Sequence, residues 1–206
     1  MKVAALILAL AGSAAAFAPA QQAARTSVAT NALSDMAGAT MPFKKGFDPL
    51  GLATLGSDGT LAWFRAAELK HSRCAMLAVT GYLVQGAGMH FPGDLASGVS
   101  FASLSAMKPL DAWTAVPDAG KAQIYFTILL AEIITEADGV HYTKGGALPT
   151  IVFPPIDFSS VDADALKKKQ SAELNNGRLA MISIMSFVAA ANIPGSVPAL
   201  VGNSAF

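Results

Sequence analysis

Three stretches of the chain lack proline and carry apolar residues on every side of a helical projection: Gly59–Gly88, Lys121–Asp138 and Asp164–Asn192. Apolarity all round a helix, rather than along one stripe, marks a helix surrounded by apolar material. Asp58 precedes the first as an N-cap, and Gly86 and Gly88 are its terminators. Pro117-Asp118 leads into the second and Gly139 closes it, while Asp162 and Asp164 cap the third and Pro194-Gly195 ends it. These signals predict helices over about 59–88, 119–138 and 164–192, each of roughly 18 to 30 residues and long enough to cross a bilayer. The links are rich in Gly, Pro and Ser and show no strong strand alternation. Pro149, Pro154 and Pro155 break the apolar stretch Leu148–Phe158.

The first and third segments repeat each other. ELKHSRCAML (Glu68–Leu77) aligns without gaps with ELNNGRLAMI (Glu173–Ile182), and Glu, Leu, Arg and the Ala-Met pair are identical. Upstream, Phe47 stands before Glu68 much as Phe153 stands before Glu173. The simplest architecture is two related helices about a pseudo-two-fold axis, with the middle helix outside the repeat. The expected fold class is therefore an all-α membrane protein with three transmembrane helices, the first and third crossed.

Composition agrees with this pattern. Hydrophobic residues make up 53% of the chain and charged ones 14%, against about 25% charged in an average soluble domain, and mean hydropathy is +0.47. Fourteen basic residues balance fourteen acidic ones, which excludes a nucleic-acid binder. A single cysteine, Cys74, excludes an intramolecular disulfide and a Cys-based zinc site. At the N-terminus, MKVAALILALAGSAAA has one positive charge, a short apolar run and small residues, the pattern of a secretory signal. Phe17–Ala32 is rich in Ala, Ser, Thr and Gln, contains Arg25 and has no acid, like a transit peptide. Residues 1–32 thus read as a bipartite targeting leader and 33–206 as the folded domain.

The charges inside the predicted helices carry the chemistry. Glu68 and His71 lie about 60° apart on one helix face, whereas Arg73 lies about 140° from Glu68. Neither Arg73 nor its counterpart Arg178 can easily neutralise the glutamate of its own helix. An unpaired charge in a membrane helix is costly, and the repeat supplies the remedy: Glu68 pairs with Arg178, and Glu173 with Arg73, between helices. An arginine can hold one carboxylate oxygen and leave the other free. That free oxygen, together with His71 and Asn176, suits a metal taking one hard N or O ligand, such as the magnesium of a chlorin ring. Ala75, Gly81, Gly177 and Ala180 leave room beside these ligands for flat rings or close helix approach. A di-iron carboxylate site would need two Glu-x-x-His motifs and two further glutamates. The chain has one such motif, one Glu-x-x-Asn, and besides them Glu132 and Glu136. No nucleophile–base constellation, phosphate loop or redox cluster points to an enzyme.

These residues resemble the eukaryotic light-harvesting chlorophyll-binding family, whose signature pairs Glu-x-x-His-x-Arg with Glu-x-x-Asn-x-Arg. The segment GFDPLGLA (Gly46–Ala53) resembles the family's carotenoid-holding stretch before the first helix. ELNNGRLAMI, the spacing of Gln123 and Glu132, and AAAFAPA resemble the chlorophyll a/c antennae of red-lineage algae. The resemblance implies three thylakoid helices and magnesium ligation by Glu68, His71, Glu173 and Asn176, joined by Glu132, Gln123 and Gln85. Arg73 and Arg178 become structural ion-pair partners. Cofactors implied are chlorophyll a, chlorophyll c and a xanthophyll of fucoxanthin, peridinin or alloxanthin type. The implied partners are thylakoid lipids, a photosystem core, and other antenna subunits or further copies of the chain. The implied location is the plastid thylakoid membrane. Ala190 stands where relatives often carry a ligand Gln, with Asn192 nearby, and FPPIDF (Phe153–Phe158) departs from the family's FDPLG. The chain ends soon after Asn192, so no amphipathic fourth helix is expected. An antenna subunit is the expected function. A photoprotective relative sensing pH through Asp94, Asp111 and Asp118, or a pigment-poor assembly protein, are the alternatives.

Overall fold

The computed structural model describes residues 33–39, 46–137, 139–148 and 161–202. The targeting leader, Asp138 and the FPPIDF segment lie outside the described residues.

A short helix α1 (Leu52–Leu55) precedes the long helix α2 (Asp58–Gly86). A small antiparallel hairpin of β1 (Asp94–Ala96) and β2 (Val99–Ser100) follows, then short helices α3 (Phe101–Ser105) and α4 (Pro109–Ala115). Helix α5 (Asp118–Ala137) leads through a 3₁₀ turn at Tyr142–Lys144 towards the long helix α6 (Ala163–Asn192), and a second 3₁₀ turn occupies Pro198–Leu200. The three long helices fall within two residues of the predicted ends. Asp162 caps α6 as its spacing predicts, its carboxylate accepting from the amides of Asp164 and Ala165. Asp58 begins α2, whose N-cap is Ser57.

The first link differs from the expectation of no strand. Gly93 and Gly98 take left-handed φ values of 99° and 84°, which turn the chain tightly enough to pair five residues that have no alternating pattern of their own. In the GFDPLGLA segment, the Asp48 carboxylate accepts from the Leu52 and Ala53 amides at 2.9 Å, while Gly51 takes φ 66°. Aspartate and glycine thereby fix the bend before α2, and Phe47 and Leu50 are left exposed.

Helices α2 and α6 run in the same direction and form the core. Its buried stripe is Ala66, Leu69, Ser72 and Ala75 on α2 against Leu174, Gly177 and Ala180 on α6, a three-residue spacing that follows one helix face. The Leu, Ser/Gly and Ala positions correspond one to one in the repeat. The stripe continues at Tyr82 and Phe187, equivalent residues whose rings lie 5.3 Å apart. At the closest approach Ser72 is fully buried, and a Cβ on Gly177 would overlap the Ser72 side chain and sit 3.0 Å from its Cα. Glycine is thus required here for backbone approach.

Helix α5 runs back in the opposite direction and buries none of its residues. Ile124, Tyr125, Phe126, Ile128, Leu129, Leu130, Ile133 and Ile134 are each 44–60% exposed. What attaches α5 lies at its ends: Trp113 packs edge-on to Tyr125 at 6.0 Å, and Lys70 of α2 reaches Glu132 and Glu136 at 2.5 Å each. Among the described residues no helix is long and apolar enough to cross a membrane.

Gly177→Ala is expected to push α2 and α6 apart and lower the melting temperature by several degrees, as about 1–3 kcal/mol of overpacking does in a domain of this size. Adding Ser72→Gly should restore part of the loss. Equal melting curves for Gly177→Ala and the parent protein would overturn this account of the crossing.

Candidate functional site

The site is built on the face-to-face repeat. Arg178 Nε donates to Glu68 Oε1 at 2.8 Å, and Arg73 Nε donates to Glu173 Oε1 at 2.8 Å. Each bridge joins α2 to α6, as the helical angles demand. The partners are 26–39% exposed at their side chains, so they sit at the margin of the core stripe with their outer sides open.

The two bridges are not equivalent. Glu173 Oε2 accepts no hydrogen bond among the described residues. Glu68 Oε2 accepts from Arg65 Nη1 at 2.7 Å, so the expectation of a free second oxygen holds for Glu173 and is corrected for Glu68. The cause is local: Arg65 stands three residues before Glu68 on the same face of α2, and the repeat places Gln170 at the matching position before Glu173. Arg178 has a further task. Its Nη1 donates to the Gly38 carbonyl at 2.8 Å, and the Gly38 amide donates to Ser171 Oγ at 3.0 Å. Gly38 has φ 89° and is buried, with Leu174 and the Arg178 guanidinium close to where a side chain would begin.

His71 lies one turn beyond Glu68 and faces outward. Its Nδ1 lies 2.8 Å from the Ala67 carbonyl, which fixes that nitrogen as the donor and leaves Nε2 with an outward lone pair. Asn176, its counterpart on α6, is exposed and its side chain makes no hydrogen bond among the described residues. These four candidate ligands therefore form one cluster around the crossing.

The remaining candidates lie elsewhere. Glu132 sits across from α2, its Oε2 on Lys70 and its side chain half exposed. Glu136 accepts from the same Lys70 and lies 2.7 Å from His141 Nε2. The Tyr142 hydroxyl donates to Glu136, and burial together with that carboxylate pushes the phenol up, keeping it a donor. This network ties the end of α5 and the turn after it to the first half of α2. Gln123 lies nine residues before Glu132, about 180° round the helix, and is exposed on the opposite face of α5.

Gln85 lies near the far end of α2, in a cleft of about 290 Å³ lined by Val84, Phe91, Phe101, Leu104, Trp113 and Val116 among others. Its amide nitrogen donates to the Leu104 carbonyl at 3.1 Å, which turns its oxygen away from that contact. Asn192, near the Ala190 departure, donates to the Val188 carbonyl of its own helix.

Sequence reasoning missed Arg65, Lys70 and Gly38. Arg65 carried a readable signal, an Arg–Glu spacing of three. Lys70 did not, because its partners are 62 and 66 residues away on the helix outside the repeat.

Comparison with known proteins covers the same segments. Residues 32–192 match the family described as Chlorophyll A-B binding protein. Fucoxanthin-chlorophyll a-c binding protein F of Phaeodactylum tricornutum is 43% identical over 188 residues, covering 89% of this chain and 92% of that protein. Protein C of the same organism is 40% identical over 194 residues, with the same coverage. A fucoxanthin-chlorophyll a-c binding protein of Trieres chinensis is 34% identical over 194 residues, covering 92% of this chain and 94% of that protein. The matched stretch includes both bridged helices and the helix between them, and the chain belongs to the chlorophyll A-B binding protein family.

Proposed function

We propose that this protein is a light-harvesting antenna subunit of the plastid thylakoid membrane, binding chlorophyll a, chlorophyll c and a fucoxanthin-type carotenoid and passing excitation to a photosystem. The observation that carries the reading is the charge-neutral carboxylate at the crossing. Among the described residues Glu173 keeps an oxygen free while Arg73 balances its charge, and His71 directs a lone pair outward nearby. Those oxygen and imidazole donors would hold the magnesium of a chlorophyll, where a bare carboxylate would leave an uncompensated charge in apolar surroundings. Chlorophyll, when bound, supplies the absorption and the excited state. The residues hold ligands at fixed positions, keep carboxylates ionised through the arginines and exclude water with apolar side chains. The protein performs no bond chemistry.

The three long helices α2, α5 and α6 act as the membrane spans in this reading, with α2 and α6 related by a pseudo-two-fold axis. Their hydropathy is lowered by Glu68, Lys70, Arg73, Glu132, Glu136, Glu173 and Arg178, all of which are ion-paired. A paired charge demands far less of an apolar medium than the isolated charge that a hydropathy sum assumes. The apolar surface of α5 supports the same environment, because so much exposed Ile, Leu and Phe would be a liability in water. Relatives named chloroplastic support the plastid location, and the partners follow as lipids, a photosystem core and other antenna subunits. The ligands are Glu68, His71, Glu173 and Asn176 at the crossing, Glu132 and Gln123 on opposite faces of α5, and Gln85 at the far cleft.

The direct test is the purified native complex. Its pigments should resolve into chlorophylls and a carotenoid, and light absorbed by the carotenoid should emerge as chlorophyll fluorescence. A colourless protein would overturn the reading, and a fluorescence lifetime that collapses as pH falls would assign it to quenching instead.

Arg73→Leu is expected to remove one chlorophyll per protein and to cost about 2–4 kcal/mol of stability, somewhat below a fully buried pair because both partners are partly exposed. A stable variant with unchanged chlorophyll stoichiometry would contradict it. Lys70→Ala should release α5, read as loss of the Glu132 pigment and faster proteolysis within residues 139–148, while the pigments of the crossing remain. Unchanged cleavage and unchanged pigment content would show that Lys70 is not the anchor.

A further inference from the structure

The two bridged glutamates share the same partner type, the same 2.8 Å contact and nearly the same exposure, 28% for Glu68 and 30% for Glu173. They differ in Arg65, whose side chain is only 13% exposed and whose Nη1 sits on Glu68 Oε2. The equivalent place before Glu173 holds Gln170, which is exposed. We propose that Arg65 is a positioning residue that makes the pigment held by Glu68 electronically distinct from the one held by Glu173. The inference rests on the reading that both glutamates are magnesium ligands.

The difference lies in the lone pairs of the two carboxylates. A carboxylate that accepts charge-assisted hydrogen bonds on both oxygens has its negative charge drawn towards the donors. Glu68 is drawn from two sides, by Arg178 at Oε1 and Arg65 at Oε2, and it approaches magnesium as a weaker donor. Among the described residues Glu173 is held at Oε1 alone, which leaves Oε2 its full lone pairs. The local charge differs as well: Arg65 places a second cation on Glu68, whereas the equivalent Gln170 adds none beside Glu173. In a low-dielectric setting that extra charge acts on the adjacent ring over several ångströms with little screening. Two sites related by the repeat thus acquire different transition energies from one substitution on the edge of the repeat. Arg65 also limits Glu68 to a single geometry, because a side chain clamped at both oxygens cannot rotate about its terminal bond.

The test compares pigment-assembled full-length protein carrying Arg65→Gln, which installs the residue found at the equivalent place, with Arg65→Lys and Gln170→Arg. Low-temperature absorption and chlorophyll stoichiometry are the readouts. Arg65→Gln is expected to keep the chlorophyll count and shift one chlorophyll a band, and Arg65→Lys to return that band towards its original position. Gln170→Arg should shift a different band in the opposite direction, since it adds a cation where the first variant removes one. A double variant, Glu68→Leu with Arg178→Leu, identifies the band by removing it with one chlorophyll. If that double variant loses no chlorophyll, the ligand reading of Glu68 fails. If it loses one while the Arg65→Gln spectrum superimposes on the parent, the role assigned to Arg65 fails. Loss of the same chlorophyll in Arg65→Gln would also overturn it, as would a Gln170→Arg spectrum identical to the parent.

Discussion

Everything in this molecule depends on an electrostatic constraint: the arginine five residues after each glutamate turns away from it, so each of these arginines bridges to the glutamate of the other helix. Within α2 and within α6 the Glu–Arg spacing of five residues turns the two charges away from each other. Reciprocal bridging satisfies both glutamates, fixes the register of the two helices and brings Ser72 against Gly177. The small residues of the buried stripe are then a requirement of that approach. Bridged glutamates, closeness of the backbones and, among the described residues, an open oxygen on Glu173 are three results of one arrangement.

Helix α5 obeys a different constraint. It contributes no buried residue and is held at its ends by the Lys70 fork and the Trp113–Tyr125 contact. Gln123 and Glu132 stand on opposite faces of α5. Its lateral faces are left open by the described residues, whereas α2 and α6 pack laterally on each other. Among the described residues the fold accordingly divides into a protein-packed centre and a flank with open apolar faces.

Much of this was legible in the sequence because the repeat supplied a long-range constraint that local patterns lack. Glu68, Arg73, Glu173 and Arg178 could be paired from helical angles and the cost of isolated charge alone. The helix ends followed from Asp162, Gly86 and Pro117, whose backbone preferences are local. Arg65 was readable from its spacing to Glu68 but breaks the repeat, so reasoning by symmetry passed over it. Lys70 and Gly38 were not legible, since their partners are set by how α5 and the N-terminal segment come to lie against the long helices. The β1–β2 hairpin was missed because two glycine conformations, and no hydrophobic alternation, create it.

The hold of Arg178 on the Gly38 carbonyl has a consequence for the order in which the molecule can form. Gly38 and Arg178 are 140 residues apart, and the two bridges span 100 and 110. Contacts of such separation close large loops and are made late relative to local structure. A chain threading in from its N-terminus exposes Glu68, Arg73 and the Gly38 carbonyl long before α6 arrives to meet them. The first helix must therefore wait for both bridges until the last helix is delivered, with Glu68 meanwhile beside Arg65 of its own helix. A truncated chain lacking α6 has no way to complete any of the three contacts.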